Sequence, residues 1–279
     1  MSGRTSATWT TPPGPVAANA DVFVSDLLPG GSWSAPVQVN QRPDARTNAS
    51  RPQLAVDGDR LVSIWSVYVG TSPEDLATAQ RVEWSARPLA NPTGWSTPRP
   101  VFERQNSQIG GRLLDLAADP AGGVSLVYGR RTTENDRAVT SLYLQRLPKG
   151  SDIWDEPVVL VQGNRGSYPR IAIAPDGTLY LAYHVGAGSG VKVGTVALAP
   201  GADRVSAEEI LTAGEEGQQG IPIAAIDRSG RLWVAYIHEP PNGKPSEVRV
   251  LRGAWLSTAP APEATASPAA SPAARDDTR

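Results

Sequence analysis

His184 and His238 are the two histidines of this 279-residue chain, and each closes a run of alternating apolar residues just after an aromatic, Tyr183 or Tyr236. Glu239 follows the second histidine directly. An imidazole beside a carboxylate can move a proton near neutral pH or ligate a metal. No His-x-x-x-His or similar ligand spacing accompanies the pair, so neither a metal nor a cofactor is expected. A second set, Arg51, Gln53, Arg112, Asp115, Tyr168 and Arg170, falls at the starts of alternating segments, and Arg130 falls at the end of one. Guanidinium groups fork onto carboxylate or sulfate, so Arg51, Arg112, Arg130 and Arg170 suit an acidic glycan.

The elements that must position these residues repeat. Trp-x-x-Pro-x-x-(Val/Leu) occurs at Trp33 to Val39, Trp95 to Val101 and Trp154 to Leu160. After each comes a turn and a strand-like run ending in an aromatic: Trp65, Tyr128, Tyr183 and, in a fourth copy, Tyr236, spaced by 63, 55 and 53 residues. A period of that length built of short strands predicts an all-β chain, a β-propeller of four-stranded antiparallel blades, about five in number. Inner hairpins are expected at Pro52 to Trp65, Leu114 to Tyr128, Pro169 to Tyr183 and Pro222 to Tyr236, with Pro175-Asp176-Gly177 a strong turn signal. Third strands follow at Arg81 to Arg87, Thr140 to Arg146, Val191 to Leu198 and Glu247 to Arg252. The Trp-x-x-Pro segments are the outer strands, where a proline breaks no ladder bond, and Val205 to Leu211 is the degenerate fourth.

Residues 20–256 form this propeller, 1–19 an irregular N-terminal segment, and 257–279 a disordered Ala/Pro/Ser/Thr-rich tail with nothing to bury. Asp21 to Leu27 and Ser34 to Val39 then supply a third and an outer strand with no inner hairpin before them. An N-terminal strand completing the last blade is the usual way to close such a ring.

Composition excludes several functions. The net charge of −2 provides no basic field for nucleic acid. The absence of cysteine removes disulfides, thiolate metal sites and thiol nucleophiles together. No apolar run exceeds strand length, so no transmembrane span is expected, and the first fifteen residues have no signal-peptide core.

Ser25-Asp26, followed by Gly30-Gly31-Ser32-Trp33 and then Ser34-Ala35-Pro36, resembles a degenerate Asp-box, the Ser-x-Asp-x-Gly-x-x-Trp turn of sialidases and bacterial neuraminidase-repeat propellers. Trp95-Ser96-Thr97-Pro98 adds to the likeness. The resemblance implies a propeller fold, since in that family the box is a structural turn far from the active site. Sialidases use an arginine triad, a Tyr/Glu nucleophile pair and an aspartate acid/base. The Arg-Ile-Pro-like motif of their first arginine is absent here, and Tyr168-Pro169-Arg170-Ile171 has those residue types in another order.

In a four-stranded blade, the start of the inner strand and the end of the second emerge on one face around the axis. Arg51, Gln53, Arg112, Asp115, Arg130, Tyr168, Arg170, His184, His238 and Glu239 are therefore expected to converge on that axial face. Two readings stay open: Asp115 and Arg170 pair with each other, or they line a wet pocket. The first function expected is a sialidase-like module that binds carbohydrate or protein, displayed outside a bacterial cell on its tail. The alternative is a glycoside hydrolase of sialidase type, whose nearest candidate pair is Tyr236 with Glu239. Trp33, Trp95 and Trp154 recur at one blade position and are expected to be buried between blades.

Overall fold

The structure, a computed structural model, describes residues 5–10, 20–40, 47–69, 81–101, 108–134, 137–163, 167–186, 190–241 and 243–253. Among these described residues eighteen strands form five antiparallel sheets. The first is β1 (Ser6–Thr10), β2 (Val22–Asp26) and β3 (Val37–Gln38). The second runs in chain order from β4 (Thr47–Asp57) and β5 (Arg60–Val69) to β6 (Arg81–Pro88) and β7 (Arg99–Pro100). The third contains β8 (Gln108–Ala118), β9 (Val124–Glu134), β10 (Arg137–Leu147) and β11 (Val158–Val161). The fourth contains β12 (Ser167–Ile173), β13 (Leu179–Val185), β14 (Lys192–Leu198) and β15 (Glu209–Ile210). The fifth is β16 (Gln218–Ile226), β17 (Leu232–Glu239) and β18 (Glu247–Arg252).

The hairpins and third strands fall where the alternating pattern places them, and the outer strands are two to four residues long. Gly177, at φ 87°, turns β12 into β13, with Thr178 N donating to Asp176 Oδ1 at 2.9 Å. A serine fixes several of the links to an outer strand: Ser34, Ser96 and Ser206 Oγ accept the backbone N–H of Asp26, Ala86 and Ala197 at 3.1, 3.1 and 2.9 Å. Two expectations are corrected. The segment read as irregular contains β1, which pairs with β2 from Ser6 opposite Asp26 to Thr10 opposite Val22. That strand supplies the inner position of the first sheet, so it completes its own sheet rather than the last one.

Successive sheets pack face to face. Val22, Val24 and Val39 of the first meet Ala49, Leu61, Trp65 and Val67 of the second. Ile64 and Trp84 on the second sheet's other face meet Leu114, Leu126 and Tyr128 of the third. Val127 and Leu144 continue to Leu181 and Tyr183 of the fourth, and Ala182 and Val193 to Val234 and Tyr236 of the fifth. Polar locks cross the same seams. Asp57 accepts the Gly123 and Gly150 N–H groups at 2.8 and 3.1 Å and also binds the Arg60 guanidinium. Arg87, fully buried, donates from Nη2 to both carboxylate oxygens of Asp26 on the first sheet at 2.6 Å.

The three repeat tryptophans differ. Trp154 is 8% exposed and meets Trp84 of the preceding sheet edge-on, with centroids 5.9 Å apart. Trp95 is partly buried against the first seam, under the Arg87 guanidinium. Trp33 is 51% exposed, which corrects the expectation of burial. Trp95 and Trp154 pack backward onto the preceding sheet, whereas among the described residues no sheet packs behind the first one, which carries Trp33.

Candidate functional site

The candidate site lies where the inner strands begin and their partners end. The hydrogen-bonded register puts Ser50 opposite Ser66, Ser167 opposite His184 and Gln219 opposite His238. In each of these three inner strands the register then slips, between Ser50 and Gln53, Ser167 and Arg170, and Gly220 and Ile223. Within the slips lie Arg51, Tyr168 and Ile221, at φ 54°, 52° and 48°, the non-glycine residues of positive φ among the described residues. Each precedes a proline, which by itself disfavours helical conformations and pushes its predecessor toward extended backbone. Left-handed backbone at such a residue costs about 1 kcal/mol or more, and strain of this kind gathers where side chains must be aimed. In β8 the slip lies between Ile109 and Leu114, a stretch that reads Gly110-Gly111-Arg112-Leu113.

Past the slip, Gln53, Asp115, Arg170 and Ile223 are register equivalents, opposite Ile64, Val127, Ala182 and Ala235. Asp115 is buried, and its Oδ2 accepts the Ile171 N–H at 2.9 Å while Oδ1 lies 3.8 Å from Arg170 Nη1. Burial pushes the Asp115 carboxyl up to about 6, against the pull of that N–H and of the Arg170 charge. The same guanidinium donates to Pro169 O at 3.2 Å. Of the two readings of Asp115 and Arg170, contact between them is the observed one, at long range.

His184 is half-buried and packs at 4.7 Å, centroid to centroid, on the Tyr168 ring. Its Nε2 accepts the Ile221 N–H, linking the fourth sheet to the strained residue of the fifth. Burial lowers its pKa to about 4, so the ring is neutral at physiological pH. Ser167 Oγ stands 3.4 Å from its Nδ1. His238 is buried instead in a cluster of its own, its Nδ1 3.3 Å from both Gln219 Nε2 and Glu215 Oε2. Glu215 also accepts from Tyr236 OH and from Arg249 Nη1, the latter at 2.9 Å.

The expected set is thus brought together in part. Arg51 is exposed at its slip, Gln53 is half-buried beyond it, and Asp115 with Arg170 and Tyr168 with His184 form two separate contacting pairs that meet at β12. Arg130 is turned over the Tyr143 ring at 5.8 Å. Arg112 lies in β8, but its side chain is outside the described residues. Glu239 is exposed at the end of β17, and the partner of Tyr236 is Glu215, which corrects the expected pairing. Sequence reasoning missed Ile221 and Glu215. The recurring residue-Pro pair at 51–52, 168–169 and 221–222 was a visible signal for the first, whereas Glu215 sits in an irregular link with no signal at all.

The Tyr236–Glu215 pair has the residue types of a nucleophile and its base, but it recurs. Trp65 Nε1 donates to Glu83 at 3.2 Å and Tyr183 OH donates to Glu208. Repetition at equivalent aromatics marks a packing device. Burial first, and the Glu215 bond second, push the Tyr236 phenol up to about 12, the wrong direction for a nucleophile. Among the described residues no cluster of His, Asp and Glu could hold a metal ion, and no helix is long and apolar enough to cross a membrane.

No protein-family model matches the chain, and no curated protein does. Solved structures do match. A protein of unknown function from Dyadobacter fermentans aligns at 15% identity over 90% of this chain and 76% of its own, with a TM-score of 0.62. The GH93 α-L-arabinofuranosidase of Fusarium graminearum in complex with arabinobiose aligns at 12% identity over 90% and 72%, with a TM-score of 0.60. A PL25 ulvan lyase bound to a chain of glucuronate and rhamnose 3-sulfate aligns at 12% identity over 91% and 67%, with a TM-score of 0.60. At these identities the likeness is one of fold, a propeller-like succession of antiparallel sheets, and it points to no sialidase in particular.

Proposed function

We propose that the chain is a β-propeller that binds an acidic glycan at the inner-strand end, as a non-catalytic module displayed outside the cell. The observation that carries this reading is the strained trio Arg51, Tyr168 and Ile221, at equivalent slips of three sheets. Glycine adopts such backbone without steric cost, whereas these positions hold a guanidinium, a phenol and an aliphatic side chain. Arg51 and Arg170 suit a uronate or sulfate, and the Tyr168 ring beside neutral His184 suits a sugar face. The folds it resembles include enzymes of arabinan and ulvan, which supports a polysaccharide ligand.

The test is calorimetric titration with uronate-bearing and sulfated oligosaccharides, set beside neutral arabino-oligosaccharides. Arg170→Ala, checked by circular dichroism, should weaken binding of the acidic set by about 1.5 to 3 kcal/mol. Unchanged affinity in that variant, or loss of binding on mutating the opposite strand ends, sinks this location.

A glycoside-hydrolase reading is favoured by one observation, the raised pKa of Asp115, which keeps a proton available to a leaving group. Its engagement by the Ile171 N–H weighs against that role. Turnover of fluorogenic sialosides or arabinofuranosides that disappears in Asp115→Asn would establish it.

A further inference from the structure

Every seam between neighbouring sheets is built the same way, from a forward face and a backward face. On forward faces, the third strand places Trp84 opposite Ile64, Leu144 opposite Val127 and Thr195 opposite Ala182. All three are covered, Trp84 to 1% exposure. The fifth sheet has the same arrangement, Val250 opposite Ala235 and Val248 opposite Ile237, yet Val250 is 58% exposed. Ile223, the register partner of Ala235 on β16, is exposed beside it. The other face of this sheet, with Leu232, Val234 and Tyr236, is packed on the fourth sheet. At the opposite end of the series, the first sheet buries Val22 and Val24 forward and leaves Trp33 and Trp9 exposed, Trp9 stacked on Phe23.

We propose that these two faces bind each other between copies of this chain, the fifth sheet of one copy against the first sheet of the next. The occupant follows from the repeat. The forward face of each of the first four sheets is met by a backward face, and the first sheet offers the unmet backward face among the described residues. Trp33 of the second copy then occupies, over Val250, the place that Trp154 occupies over Trp84 within the chain. Aliphatic strands against tryptophan bury apolar surface on both sides, and uncovered patches of this kind on soluble proteins mark interaction sites. Because the two faces differ, the contact is head-to-tail, and copies add until geometry closes the assembly.

Sedimentation velocity of the full chain over a concentration series tests this. The wild type should shift from monomer to larger species, and Val250→Glu and Trp33→Glu should each weaken association by about tenfold or more. The decisive arm mixes the two variants. Val250→Glu keeps an intact first sheet and Trp33→Glu an intact fifth, so together they should form a dimer that grows no further. A wild type that stays monomeric throughout overturns the proposal, and so does a Trp33→Glu variant that associates like the wild type, which would mean fifth sheet on fifth sheet. If Val250→Glu fails to fold by circular dichroism, Val248→Lys at the 72% exposed neighbour replaces it with the same expected outcomes.

Discussion

Asp115 on the third sheet accepts the backbone N–H of Ile171 on the fourth at 2.9 Å, so a carboxylate from one inner strand ties the start of the next. That bond is formed by a group whose pKa burial has raised from 3.8 to about 6. The folded state therefore holds its proton more tightly than the unfolded state, and stability from this group is lost as pH rises from about 4 to about 6. Asp115→Asn keeps an acceptor for the N–H and removes the titration. Urea unfolding should show the wild type losing stability relative to the variant across that window, on the order of 2 to 3 kcal/mol. Parallel pH curves for the two proteins would contradict it.

His184 acts with the opposite sign. Its folded pKa, about 4, lies below the ordinary 6.5, so its contribution is complete above 6.5 and falls as pH drops toward 4. Protonation would also place a donor against the Ile221 N–H. His184→Gln, which retains an acceptor without a charge, should be less stable or equal at pH 7.5 and gain on the wild type as the solution is acidified to about pH 5. Thermal melts at the two pH values measure the difference, and a gap that does not change with pH refutes it.

Backbone strain at Arg51 gives a third outcome. Glycine inside a strand ordinarily lowers stability by about 0.5 to 1 kcal/mol, but at φ 54° it removes a steric cost of similar size. Arg51→Gly should therefore leave stability unchanged or raise it by up to about 1 kcal/mol, while glycan binding weakens. A clear fall in melting temperature would show that the Arg51 side chain is structural.

Trp154→Ala and Trp33→Ala separate the two fates of one repeat position. Removing Trp154, 8% exposed against Trp84, should cost about 3 to 5 kcal/mol. Removing Trp33, 51% exposed, should cost under about 1 kcal/mol in dilute solution. Chemical denaturation of both at low protein concentration compares them directly, and equal losses would mean Trp33 is covered after all.

Local periodicity determined much of the molecule. Alternation of side chains and turn chemistry are properties of neighbours in the chain, so the hairpins, the third strands and the short outer strands with Pro100 at an edge were legible from residue order. So was the shared register of Gln53, Asp115, Arg170 and Ile223. What a residue meets across a seam was not. Trp33, Trp95 and Trp154 have one motif and three degrees of burial, because burial depends on whether a preceding sheet stands behind them. The strand Ser6–Thr10 has little hydrophobic pattern and exists through its ladder to β2. Tyr236 chose Glu215, 21 residues earlier, over nearby Glu239, because the tyrosine faces the inner seam while the end of its strand points to solvent. Contacts between segments far apart in sequence are set by how sheets stack, and only the tertiary structure decides that.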